Sequence, residues 1–89
     1  MKSLDRTAKK IMDTLAAACN VPIRDICVLS HDNNHFKAYV HGTSWYSQKV
    51  FDVIKNTWGV KEENISIKPS PDTWWPLGSK GYVIEVKYE

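Results

Sequence analysis

Leu4, Ala8, Ile11, Met12, Leu15 and Cys19 recur at steps of three and four, which is one face of an α-helix. Ser3 stands at the N-cap position and Asp5 falls in the first turn, while Asn20 and Pro22 are stop signals. The spacing predicts a helix from about Leu4 to Cys19. Its other side carries Lys2, Arg6, Lys9 and Asp13, with Lys10 beside them. Ile23 to Leu29 is apolar and β-branched and reads as a strand. Ser30-His31-Asp32-Asn33-Asn34 reads as a turn, because Asp and Asn tolerate left-handed backbone, and Phe36 to His41 then alternates with period two. Together they predict a hairpin. Gly42-Thr43-Ser44 breaks the strand and supplies a cap for a second helix from about Trp45 to Trp58, whose apolar side is Tyr46, Val50, Val53, Ile54 and Thr57 or Trp58. Gly59 sits where helices commonly end. Glu63 to Lys68 alternates as a third strand, Pro69 to Gly78 is a loop with Trp74 and Trp75 side by side, and Lys80 to Tyr88 is a fourth strand.

The element order is α-β-β-α-β-β, with no internal repeat evident in the residues. It predicts an α+β fold: a four-stranded, mostly antiparallel sheet with both helices on one face. In topology this is a permuted ferredoxin-like two-layer sandwich, a β-α-β-β-α-β chain whose first strand has moved to the end. Alternation then directs Phe36, Ala38 and Val40 toward the helices. Lys37, Tyr39 and His41 are directed to the bare face, as are Ser66, Lys68, Val83, Glu85 and Lys87.

With 89 residues the chain is one small domain, too thin for a deep substrate chamber. Its longest apolar run, Leu15 to Cys19, is far short of a membrane span, and no basic head with an apolar segment opens the chain. These features predict a cytoplasmic protein without a membrane role, with Cys19 and Cys27 reduced. The net charge of +2, from 12 basic and 10 acidic residues, is milder than a dedicated duplex-DNA binder carries.

Candidate chemistry is sparse. His31, Asp32 and His35 flank one turn but match no closed metal spacing. Gly42-Thr43-Ser44-Trp45 lacks the second glycine of a nucleophile elbow, and no acid is evident to orient His41 toward Ser44. Glu62-Glu63 reads as a solvated turn. Lys80-Gly81-Tyr82 opens like an RNA-binding sheet motif, then departs from it at Val83, Ile84 and Glu85. Neither catalysis nor a metal or other cofactor is therefore expected.

The tryptophans number four, well above ordinary composition. Trp74 and Trp75 lie in a loop stiffened by Pro69, Pro71 and Pro76, and tryptophan is the residue most enriched at binding hot spots. The expected function is a non-catalytic binding module recognising another protein, as small inhibitors or adaptors of phages and mobile elements do. Trp74, Trp75, Tyr39, Lys37 and His41 would form the anchor, with Lys2, Arg6, Lys9 and Lys10 steering the approach to an acidic partner or to the nucleic-acid groove of a nucleic-acid-handling complex. The alternatives are RNA or single-stranded DNA binding on the open sheet face, with Tyr39 and Trp75 stacking on bases while Lys37, Lys68 and Lys87 meet phosphates, and self-association through that face or the edge of the fourth strand, as monomer or homodimer.

Overall fold

The computed structural model describes residues 7–42, 44–70 and 81–88. Helix α1 spans Ala8–Cys19 and helix α2 spans Gln48–Trp58; the strands are β1 (Ile26–His31), β2 (His35–His41), β3 (Ile65–Ser70) and β4 (Gly81–Lys87). The order α-β-β-α-β-β and the single four-stranded antiparallel sheet are as the sequence predicts. The strands lie in the order β1-β2-β4-β3, so β4 sits between β2 and β3. It is antiparallel to both, which makes β2 and β3 parallel to each other across it.

Both helices cover one side of this sheet. Ile11 and Leu15 of α1, and Val50, Ile54 and Trp58 of α2, join Phe36, Ala38, Val40, Ile84 and Val86 in one buried cluster. The Phe36 ring meets Trp58 at 5.0 Å and Tyr88 at 6.1 Å. Each such large side chain stabilises the fold by roughly 1.5–3 kcal/mol through burial. Among the described residues no helix is long and apolar enough to cross a membrane.

Element starts differ from the sequence reading for local reasons. Helix α1 begins at Ala8 because Thr7, in extended conformation, accepts the Lys10 amide proton at its side chain; Ser3 lies outside the described residues. Ile23–Asp25 is a 3-10 turn that leaves Ile23 48% exposed, and β1 starts only at Ile26. Glu62–Asn64 is likewise a 3-10 turn before β3. Helix α2 starts after Ser47, so Trp45 and Tyr46 are not helical. The Trp45 ring is instead buried edge-on against Tyr82 at 5.3 Å, while Tyr46 stays 47% exposed beside the same tyrosine.

A repeat invisible in the residues is present in the backbone. Both helices end in a left-handed residue whose amide donates back to the carbonyl four positions earlier: Asn20 to Ala16, and Gly59 to Lys55. Three residues later each half starts a 3-10 turn, then an edge strand starting at a buried isoleucine, Ile26 or Ile65. Exchanging the halves maps the strand order onto itself, about the central β2–β4 pair.

Candidate binding face

The register of the sheet sets out the face turned away from the helices in rows across the strands. His35 stands beside Lys87. The next row is Ser30, Lys37, Glu85 and Ser66. Then come Cys27, Tyr39, Val83 and Lys68, and finally His41, Gly81 and Ser70. The outward parity read for Lys37, Ser66, Lys68, Val83, Glu85 and Lys87 is thus the parity of the sheet.

The two ends of this face differ. Around the last row it is closed: Tyr39 is 0% exposed, and Ser70 and Gly81 are buried. Tyr39 lies on the outer side, as its parity predicts, but the expectation that it offers an accessible aromatic there is corrected. Its phenol lies over Gly81, the diagonal neighbour on β4, where the missing side chain leaves room for the ring. Burial raises the Tyr39 phenol above its ordinary pKa. His41, beside Gly81, is half-buried. Of the five residues expected to form the anchor, Lys37 is the described one that presents an exposed side chain; Trp74 and Trp75 lie outside the described residues.

The other end is open. Lys37, Lys68 and Lys87 are exposed around a half-buried Glu85. Neighbouring positions in a row are about 5 Å apart at Cβ, and diagonal ones about 7–8 Å. Lys37 is directly opposite Glu85, Lys87 is two residues along the same strand, and Lys68 is diagonal to it. No ion pair within 4.0 Å joins Glu85 to any of them among the described residues. Open grooves adjoin Glu85: one of about 320 Å³ bounded by Lys37, Ser66, Lys68 and Val83, one of about 430 Å³ bounded by Asn34, His35 and Lys87, and one of about 260 Å³ that it shares with Lys68, Lys87 and a second carboxylate, Glu63.

The β1–β2 turn holds a constellation missed in the sequence. His35 donates from Nδ1 to Asp32 Oδ1 at 3.1 Å, and its Nε2 faces Ser30 Oγ at 3.3 Å. Asp32 Oδ1 also accepts the Asn34 and His35 amides at 2.7 and 3.0 Å, which hold its carboxyl below the ordinary range. The signal was the Asp-x-x-His spacing, which lets one carboxylate close a turn and orient the ring. The order Ser–His–Asp resembles an acyl-transfer relay, but Ser30 is exposed and bounds none of these grooves, so no water-excluding pocket surrounds it. The arrangement locks the hairpin. Among the described residues no group of His, Cys, Asp and Glu is placed to hold a metal ion.

The remaining described candidates are placed apart from the face. Lys9 on α1 is paired with Asp13 at 2.9 Å, which neutralises part of the basic stripe; Lys10 is half-buried, and Lys2 and Arg6 lie outside the described residues. Glu62 is drawn to α2 by Lys55 at 3.3 Å and Gln48 at 3.4 Å. Strand β4 is central, so its edge is not free for self-association. The edge strands carry their own guards: β1 an irregularity between Val28 and Ser30, β3 a lysine and Pro69. Comparison with known proteins finds no matching family model, no significantly similar curated protein and no significantly similar solved structure.

Proposed function

We propose that the protein is a non-catalytic binding module that recognises an acidic surface on another protein through the open end of its outer sheet face. The carrying observation is the grouping of Lys37, Lys68 and Lys87 from three strands on one exposed surface, where their charges add. A sheet holds these lysines at fixed spacing without ordering a loop, so binding there loses little conformational freedom. Burial of Tyr39 favours a protein partner over nucleic acid, because the described part of the face then offers no aromatic ring for a base to stack on. Trp74 and Trp75 belong to the same proposal on sequence grounds: their segment joins Ser70 to Gly81, a paired couple at the rim of this face. An inhibitor or adaptor acting in the cytoplasm fits a small domain that works by occupying a surface.

The test compares wild type with the triple variant Lys37→Gln, Lys68→Gln, Lys87→Gln in capture from cell lysate, with and without nuclease. A partner that resists nuclease and is lost with the triple variant supports the reading. Loss on nuclease treatment transfers the function to RNA or single-stranded DNA. Capture unaffected by the variant removes the lysine face from the account.

A further inference from the structure

We infer that Glu85 is the selectivity element of the lysine face: its partner is a protein segment carrying one basic side chain ringed by carboxylates, and uniform polyanions are disfavoured. The inference rests on the proposed acidic-partner reading and narrows it. Glu85 is half-buried at the centre of the sheet, bounds the adjoining grooves, and has Lys37, Lys68 and Lys87 around it. A carboxylate among lysines ordinarily forms an ion pair with one of them; here none approaches within 4.0 Å among the described residues. Four charged heads are therefore presented separately to whatever docks.

The consequence follows from charge complementarity. A partner of uniform negative charge, such as a phosphate backbone or a run of glutamates, gains three attractions and brings at least one anion against Glu85. That anion meets a like charge whose remaining hydration is stripped on contact, which costs more than an exposed pair at the rim. A lysine or arginine at that point removes the repulsion and uses the carboxylate, while flanking Asp or Glu residues meet the lysines. An extended segment presents such a pattern readily, because its side chains alternate at a spacing close to that of the sheet rows. The same carboxylate rejects RNA and single-stranded DNA, so specificity here comes from a repulsive group as much as from the attractive ones.

The experiment measures binding of three labelled probes at low salt: an oligoglutamate peptide, the same peptide with one central arginine, and oligothymidylate. The proteins are wild type, Glu85→Gln, Glu85→Thr and the double variant Lys37→Gln, Lys87→Gln. Glutamine keeps the shape of the native side chain, and threonine suits a strand should glutamine disturb folding. Wild type should prefer the arginine-centred peptide over oligoglutamate by about fivefold, the upper range of one exposed pair. Either Glu85 variant should abolish or invert that preference and strengthen oligothymidylate binding, whereas the lysine variant should weaken every probe. An unchanged probe ranking in the Glu85 variants, with binding still dependent on the lysines, overturns the selectivity inference alone. Failure of wild type to bind any probe, or binding indifferent to the lysines, overturns the lysine-face reading and this inference with it.

Discussion

Asn20 and Gly59 close α1 and α2 in the same left-handed conformation, at φ 57 and ψ 47 for one and φ 67 and ψ 32 for the other. Side chains resist that conformation by roughly 1–2 kcal/mol, least for Asn and not at all for Gly. Gly59→Ala should therefore lower stability by about 1 kcal/mol, and Asn20→Gly should leave it unchanged or raise it by a few tenths. Urea unfolding of both variants checks the pair, and an equal response at the two sites would contradict the common geometry.

Gly81 and Tyr39 define a second pair. A methyl group at position 81 would come within 2.6 Å of the Tyr39 hydroxyl oxygen and 2.7 Å of its ring, and would overlap the Val40 carbonyl. Gly81→Ala should cost about 2–3 kcal/mol, the upper range for overpacking. Combining it with Tyr39→Ala should cost less than the sum of the two, because the ring is one of the groups displaced. The remaining overlap with backbone means that the rescue stays partial.

Asp32 makes the hairpin sensitive to acid. Its carboxyl is held low by the Asn34 and His35 amides, so its contribution is present above the ordinary carboxylate pKa and is lost as pH falls through the lowered value. Asp32→Asn keeps an oxygen acceptor but removes the titrating charge. The variant should flatten the loss of stability below about pH 4, measured by thermal unfolding across an acid series.

The two cysteines should report opposite environments. Cys19 is buried on α1, which pushes its thiol up to about 12, while Cys27 is half-buried on the edge strand β1. A thiol reagent should label Cys27 in the native protein and reach Cys19 only on unfolding. The unfolded chain ionises Cys19 near pH 9 and the folded one does not, so its contribution falls as pH rises from about 9 toward 12. Cys19→Ala should be less stable at neutral pH but show a shallower alkaline decline.

Periodicity made most of the fold readable. The three- and four-residue steps through Ile11 and Leu15, and through Val50 and Ile54, place both helices, because those residues enter one core. Alternation along Phe36–His41 and Tyr82–Lys87 assigns faces correctly, and with them the lysines of the binding face. It gives parity but not exposure. Tyr39 is buried on the outer side through a neighbour that belongs to β4, a pairing no local pattern reveals. The starts of β1 and β3 differ from the pattern for a related reason: Ile23 and Glu63 continue an extended-looking run, yet each lies in a 3-10 turn following a left-handed helix end. The hairpin lock of Ser30, Asp32 and His35 needed the chain to double back before three ordinary turn residues became neighbours.

The place of β4 between β2 and β3 has a consequence for how the protein is made. A chain emerging from the ribosome delivers both helices, the first hairpin and β3 before the one strand that joins them. Until Gly81–Lys87 leaves the exit tunnel, β2 and β3 each keep a naked row of amides and carbonyls, and the nascent sheet exists as two disconnected parts. The sheet is therefore closed from its middle, since its two parts join only through Gly81–Lys87.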